Sequence, residues 1–358
     1  SVRQVKNNPN YTDANYYAGF IALQKKEFTA ALGYFQIAAQ NEAYAKLTPF
    51  YISQLYYFLG DYEKSMQTCE AALKVNGQFY DLKLKQLMGH LLFEKKQYEK
   101  ALPYLSNYVS VQKKVDPQDL YQLSFCYFQS QNWEKAIPGF KELANVEDSL
   151  GQNSMYLLAT SYLKVNDKNG AKNAFLICAT KSQNLSQKEI SLFNYGKLCT
   201  ELKEYSNAIF TLDKFMTTYP NSIYKEDAKS LWITALAYSN NYIQALEAFE
   251  SVQNPSTDLL KLYPGVLYGR ATLYINDGQI EKAYPLLSQI LNTPYNAKMV
   301  PYAQFWLGEL SYKLGRIDMA IEILERFLLD PIEVGEVSQR HAKYTLGYCY
   351  LKKANFQK

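Results

Sequence analysis

The side chains that could carry out catalysis are widely separated along this chain. Its 358 residues include only two histidines, His90 and His341, about 250 positions apart. A metal site needs several converging ligands, and a nucleophile needs a base within hydrogen-bond reach. No G-x-S-x-G, H-E-x-x-H or phosphate-binding glycine motif is present. We therefore expect no catalytic residue, no metal site and no cofactor, and we predict that the chain is not an enzyme.

Two carboxylate pairs could suggest acid–base chemistry. Glu147-Asp148 and Glu226-Asp227 each lie close to the predicted start of a helix. Negative charge at that position is stabilised by the helix dipole, and this structural role is sufficient to explain both pairs.

The charge balance argues against nucleic acid as a partner. Lysine and arginine total 38 and aspartate and glutamate total 34, which leaves a net charge of +4. No run of five basic residues supplies the positive patch that phosphate binding requires. No apolar stretch approaches the roughly 20 residues of a membrane span, so we expect no direct membrane insertion in this segment. The first residues, 1–6, also lack the apolar core of a signal peptide.

A short signature returns along the whole chain every 34 to 38 residues. Each copy centres on a small residue flanked by large apolar residues, as in Phe28, Ala31 and Phe35. The nine small residues are Ala31, Ser65, Ala101, Ala136, Ala171, Ala208, Ala245, Ala283 and Ala320. A period of this length predicts stacked supersecondary units. Each unit indicates a helix, a tight turn and a second helix, as in residues 301–330, where Gly315 separates two amphipathic segments.

A second small residue lies twelve positions before the first in nearly every unit. Gly19, Gly89 and Gly308 are examples, and Ile233 is the exception. We expect the two small residues to mark the point where the paired helices approach most closely. Gly347 keeps the spacing and indicates the first helix of a partial tenth unit, whose inner face lacks a second helix. The five cysteines, Cys69, Cys126, Cys178, Cys199 and Cys349, fall at packing positions, so we expect buried thiols.

These motifs resemble the tetratricopeptide repeat (TPR). The matching residues are Leu307-Gly308, Gly60-Asp61-Tyr62, Ala245, Phe249 and Pro220. The resemblance implies an all-α, right-handed TPR superhelix (an α-solenoid) of about nine helix-turn-helix repeats plus a partial tenth. It also implies that residues 1–358 form a single solenoid. Since the chain stops at Phe356-Gln-Lys, where another signature should begin, we expect an excised segment of a longer multi-repeat protein.

In this family the first helix of each repeat lines a concave groove. Fifteen positions before the small residue, eight of ten units carry an aromatic residue, and Phe125 lies four positions further on from one of them. We predict partner-binding roles for Tyr16, Phe50, Tyr121, Phe125, Tyr156, Phe193, Tyr268, Phe305 and Tyr344. Aromatic side chains are good anchors for a bound peptide. The same residues could instead serve only to pack neighbouring units, and the sequence leaves both readings open.

The family also contains a clamp of lysine and asparagine that grips a terminal carboxylate. Eleven positions before the small residue, where further groove side chains are expected, this chain has Phe20, Gln54, His90, Phe125, Thr160, Lys197, Thr234, Thr272 and Glu309. Because no lysine–asparagine set occurs on adjacent units, we expect an apolar or mixed partner surface.

The leading functional hypothesis is a non-catalytic protein–protein interaction scaffold that binds a peptide or partner domain in its concave groove. The segment Tyr219-Pro220-Asn221-Ser222, followed by Ala228 and Leu231, resembles repeats of bacterial envelope lipoproteins. This resemblance implies a role in cell-envelope assembly and favours the periplasm or cell envelope over the cytoplasm. Two alternatives remain open: a targeting arm of a larger enzyme or sensor whose active domain lies elsewhere, and a self-assembly module. The sequence does not indicate an oligomeric state.

Overall fold

The computed structural model describes residues 8–355, and within them all regular secondary structure is helical. The N-terminal residues examined for a signal peptide and the final residues 356–358 lie outside this range. The helices are α1 Tyr11–Gln24, α2 Phe28–Ala38, α3 Glu42–Ala45, α4 Thr48–Phe58, α5 Tyr62–Leu73, α6 Asp81–Glu94, α7 Tyr98–Val111, α8 Pro117–Gln129, α9 Trp133–Glu142, α10 Ser149–Lys164, α11 Lys168–Thr180, α12 Leu185–Glu201, α13 Tyr205–Thr218, α14 Lys225–Tyr238, α15 Tyr242–Glu250, α16 Thr257–Asn276, α17 Ile280–Ile290, α18 Val300–Lys313, α19 Ile317–Phe327 and α20 Gln339–Asn355. Apart from the four-residue α3 and the final α20, they form nine consecutive pairs.

All nine pairs are joined by the same turn. Five positions before each small residue the backbone adopts a left-handed conformation, with φ between 57° and 77°. The next residue donates its N–H to a carbonyl five positions back in the first helix, for example Asp61 to Tyr56 and Arg316 to Ser311. This is a Schellman ending, which satisfies the free carbonyls of the first helix and reverses the chain. The left-handed residues are Lys26, Gly60, Lys96, Gln131, Asn166, Lys203, Asn240, Gly278 and Gly315.

The small residues lie where the two helices of a pair touch. All nine, from Ala31 to Ala320, are fully buried. In some pairs the first helix carries a glycine opposite the small residue of the second helix. The side chain four positions after that small residue then packs against the glycine. A Cβ built on Gly89, for example, would lie 2.6 Å from Leu105. A Cβ on Gly308 would lie 2.5 Å from Leu324. The predicted close approach is therefore confirmed.

The chain divides into two compact units, Ser1–Lys188 and Glu189–Lys358. In the first unit, helices α1, α2 and α4 form one hydrophobic core around Phe35. The four helices from α5 to α8 form a second core around Leu91. In the second unit, cores centred on Leu212, Leu267 and Phe327 follow one another along the helix pairs. Each core is shared between consecutive pairs, as expected for a solenoid in which a repeat contacts only its neighbours.

Helix α20 is the first helix of the predicted tenth unit. Its Ala342, Thr345 and Cys349 are buried against the preceding helices. A Cβ built on Gly347 would meet no described atom within 4 Å, unlike its counterparts Gly89 and Gly308. The all-α solenoid of nine helix pairs and a partial tenth is therefore confirmed within residues 8–355, while a single continuous solenoid over 1–358, cut from a longer protein, stays a prediction.

Candidate functional site

The predicted aromatic ladder of the first unit consists of half-buried rings packed against other rings. Tyr16 stacks on Tyr44 with ring centroids 4.3 Å apart, and Phe50 lies 5.3 Å from Tyr80. The remaining members behave in the same way: Tyr121 and Phe125 lie 5.8 Å apart, and Tyr156 lies 6.1 Å from Phe175. These rings line helix seams and expose only part of their surface, so packing explains most of their burial.

The ladder of the second unit is uneven. Phe193 stacks on Tyr224 and is buried, and Phe305 is only 2% exposed in the core beside Phe327. Tyr268 is half-buried against Tyr302 at 5.2 Å. Tyr344 is 65% exposed. The structure thus buries most of Phe193 and Phe305 and leaves Tyr344 exposed. The binding role of the ladder as a whole stays a prediction.

A groove of about 390 Å³ lies between α4 and α6 in the first unit. Its aromatic wall comes from α4, and its polar wall comes mainly from α6. The lining residues are Phe50, Gln54, Tyr57, Phe58, Lys83, Gln86, Leu87 and His90. This arrangement offers apolar contact on one side and hydrogen-bonding groups on the other.

The polar wall of this groove is held by one buried carboxylate. Asp119, on α8, is 1% exposed. Its Oδ1 lies 2.5 Å from Nε2 of His90, and both of its oxygens accept hydrogen bonds from Nε2 of Gln86, at 2.8 and 3.0 Å. The sequence indicated His90 as a surface or groove residue but gave no signal for Asp119.

In the second unit, a groove of about 500 Å³ lies between α18 and α20. Its walls are aromatic, and its charged groups come from both helices and from the segment before α20. The lining residues are Ile275, Phe305, Trp306, Glu309, Tyr312, Lys313, Glu336, His341, Tyr344, Thr345 and Tyr348.

Glu309 is the most perturbed carboxyl group in this groove. Burial raises its pKa above the ordinary value of 4.5, although the hydroxyl of Thr345, Lys313 and His341 act in the opposite direction. Its Oε1 atom is buried and has no hydrogen-bond partner among the described residues.

A smaller opening between α12, α14 and α16 includes Lys197 and Thr234. Together with Gln54, His90 and Glu309, these residues occupy the position eleven before the small residue of their units. That position therefore faces the grooves repeatedly. The sequence alone shows the mixed polar character of this repeat position, but it does not show that the position faces a groove.

The remaining chemical groups form no second site in the described part of the chain. No group of three or more histidine, cysteine, aspartate or glutamate residues between 8 and 355 is placed to hold a metal ion. All five cysteines are buried, as predicted, and burial raises the pKa of Cys69 to about 11 and that of Cys126 to about 12. No helix in this range combines the length and the apolar character needed to cross a membrane.

Stacked helix pairs with a common turn and grooves lined by the first helices define an α-solenoid repeat protein. Residues 52–79 and residues 302–330 each match the tetratricopeptide repeat family. Both segments lie within helix pairs of the same geometry as the other seven. These two segments are tetratricopeptide repeats, and the nine helix pairs together have the fold of a TPR superhelix.

Several solved structures align with parts of this chain. YrrB, described as a TPR protein with an unusual peptide-binding site, is 16% identical over 50% of this chain and 90% of its own, with a TM-score of 0.42. A tetratricopeptide repeat protein from Parabacteroides merdae is 14% identical over 75% of this chain and 98% of its own, with a TM-score of 0.37. The TPR2AB domain of yeast Sti1, in a complex with pHSP90, is 15% identical over 77% of this chain and 96% of its own, also with a TM-score of 0.37. No curated protein matched the sequence.

Proposed function

We propose that this chain is a non-catalytic scaffold that binds a peptide or a partner protein through grooves on its first-helix faces. The observation that carries the proposal is the α4–α6 groove, where an aromatic wall faces a wall of hydrogen-bonding side chains held in place by buried Asp119. Aromatic side chains that can be covered by a partner contribute a large share of binding energy in protein interfaces.

The rigidity of the groove favours binding. His90 and Gln86 are oriented by Asp119, which belongs to the next helix pair, so their positions are set by repeat packing before any partner arrives. A preorganised site loses less conformational entropy on binding than a flexible one. An extended or helical peptide segment is recognised in such a groove through a few anchor side chains.

The test is selection of peptides from a random twelve-residue library on the purified chain. The parent is compared with Phe58→Ala, which removes an aromatic groove residue that is 48% exposed. The matched control is Phe79→Ala, which removes a ring that is 71% exposed and does not line the groove.

We expect the parent and the Phe79→Ala chain to retain the selected peptides and Phe58→Ala to lose them at least tenfold in affinity. Equal binding to all three chains would mean that this groove is not the binding surface. A selection that enriches no peptide on the parent would contradict the peptide-scaffold proposal.

We also propose, more specifically, that the scaffold acts in cell-envelope assembly. This proposal is supported by the resemblance of the segment Tyr219-Pro220-Asn221-Ser222 to envelope repeats. Fractionation of source cells, followed by detection of the chain with an antibody, would test it. We expect the chain in the envelope fractions; recovery with the cytosolic fraction would remove this part of the proposal and leave the scaffold function intact.

A further inference from the structure

The groove between α18 and α20 is lined by a carboxylate that lacks one hydrogen-bond partner among the described residues. The Glu309 carboxylate lies there near the hydroxyl of the buried Thr345. One of its oxygens, Oε1, is buried without a hydrogen-bond donor among the described residues. A buried carboxylate oxygen without a donor is costly, and a bound cation would remove that cost.

Aromatic rings line the same groove as Glu309. Tyr344 and Tyr348 lie edge to face, with centroids 4.8 Å apart, and their hydroxyl oxygens are 3.0 Å from each other. Tyr312 lies next to Tyr348, with a centroid distance of 6.5 Å. Ring faces attract ammonium and guanidinium groups, and the Nζ atom of Lys352 already lies 4.5 Å from the centroid of Tyr312. The groove therefore contains both aromatic rings and the Glu309 carboxylate, and both kinds of group attract a cation.

Lys313 and His341 favour the charged form of Glu309, but neither forms an ion pair with it within the described part of the chain. Lys313 is exposed and follows Glu309 by one helical turn, but no ion pair within 4.0 Å joins them among the described residues. His341 directs its Nδ1 to the backbone carbonyl of Glu336 at 2.7 Å. Glu336 adds a second carboxylate to the groove lining.

We propose that the α18–α20 groove binds a lysine or arginine side chain of the partner peptide, with the cationic group against the free oxygen of Glu309 and the alkyl stem against the tyrosine rings. This inference rests on the proposed scaffold function and specifies the chemistry of one of its grooves. It differs from a carboxylate clamp because the scaffold supplies the negative charge and the partner supplies the positive charge.

The experiment uses the full chain and the same random peptide library, selected at neutral pH on the parent, on Glu309→Gln and on Glu322→Gln. Glu322 is a matched control because it lies on α19, is largely exposed and pairs only with Arg326 one turn away. The library also runs against a Tyr344→Ala/Tyr348→Ala chain. Thermal unfolding of each chain accompanies the selection; Glu309→Gln keeps the shape of the side chain, and we expect it to be at least as stable as the parent.

We expect peptides selected on the parent and on Glu322→Gln to carry a basic residue at one fixed position, and this preference to disappear on Glu309→Gln. Replacing that residue by norleucine should weaken binding to the parent about tenfold and leave binding to Glu309→Gln unchanged, as for the loss of one charge-assisted hydrogen bond. Loss of affinity in the double tyrosine variant would place the same residue against these rings.

Two results would overturn the inference. If peptides bind without any basic preference, or if the norleucine exchange weakens binding equally on the parent and on Glu309→Gln, the groove does not recognise a cation, while the scaffold function remains. If no peptide is enriched on any chain, the scaffold function itself fails and the inference fails with it.

Discussion

The Asp119 carboxylate on α8 lies 2.5 Å from Nε2 of His90 on α6, so that a buried acid of one repeat orients a groove residue of the repeat before it. The two residues are 29 positions apart in sequence. Both oxygens of the same carboxylate also accept a hydrogen bond from Nε2 of Gln86. This contact links the stability of two helix pairs to the geometry of the α4–α6 groove.

Replacing Asp119 by alanine should therefore destabilise the first unit. The change leaves His90 and Gln86 without their shared acceptor, and breaking a buried pair on one side costs about 2–4 kcal/mol. The urea midpoint of unfolding, followed by circular dichroism, measures the effect. Asp330→Ala, at an exposed position after α19, should change stability by less than about 0.5 kcal/mol. Equal behaviour of the two variants would show that the Asp119 contact carries no net stability.

The nine shared turns predict that a lysine at the left-handed position is strained. Lys96 has φ of 59°, which costs a residue with a Cβ about 1–2 kcal/mol relative to glycine. Because glycine also loses more entropy on folding, Lys96→Gly should stabilise the chain by about 0.5–1 kcal/mol. Thermal unfolding gives the sign and the size.

The reverse exchange at an equivalent turn is the control. Gly60 has φ of 77°, and a Cβ built on it would meet nothing within 4 Å, so Gly60→Ala tests the backbone conformation alone. We expect a loss of about 1 kcal/mol. If both exchanges shifted stability in the same direction, the left-handed geometry could not be the cause.

The close approach of paired helices predicts a large difference between two glycines in equivalent positions. Gly89→Ala would place a Cβ 2.6 Å from the fully buried Leu105, so repacking should cost about 1–3 kcal/mol. Gly347→Ala, which meets no atom within 4 Å, should instead stabilise α20 by up to about 1 kcal/mol through helix propensity.

A double-mutant cycle identifies the cause of the Gly89 effect. In a Leu105→Ala chain, where the facing side chain is removed, Gly89→Ala should cost less than about 0.5 kcal/mol. An undiminished penalty in that background would assign the effect to the backbone of α6 rather than to the contact with Leu105.

The stability of the second unit should depend on pH through Glu309. Burial raises the pKa of this carboxyl above 4.5, so the native state holds the proton more firmly than the unfolded chain. Its contribution to stability is therefore present below the unfolded pKa and is lost as the pH rises through the raised native pKa. At neutral pH the ionised, partly buried group is unfavourable, and Glu309→Gln should be more stable than the parent by about 1 kcal/mol.

Urea unfolding of the parent and of Glu309→Gln at pH 4.5 and pH 7.5 checks this dependence. The difference between the two chains should be small at the lower pH and larger at the higher pH, where the parent carries the charge. A constant difference at both values would mean that a group other than Glu309 titrates, or that the exchange acts through packing.

The fold could be predicted in detail because its determinants are local. The positions of Ala101 and Gly315 already indicated the helix contact and the turn, since each repeat contains both helices and the residues that join them. The left-handed turns at Lys96 and Lys203 were not predictable, because lysine carries no preference for that conformation and only the flanking helices impose it.

The candidate site was harder to predict. Aromatic residues at one repeat position include Phe305, which is buried, and Tyr344, which is exposed, and sequence spacing does not separate them. In the sequence, Asp119 cannot be distinguished from other acidic residues in the first turn of a helix. Its role depends on His90, which belongs to another repeat.

The sequence by itself determined the repeat, the helix pairs, the buried small residues and the absence of recognisable catalytic motifs, because all of these follow from spacing within about 36 residues. Only the tertiary structure decided which side chains line a groove, which carboxylate holds His90, and that Glu309 shares a groove with tyrosine rings and has one oxygen unpartnered in the described chain. The physical reason is that burial and pairing arise between side chains of different helices, and their distances are set by how the repeats pack together.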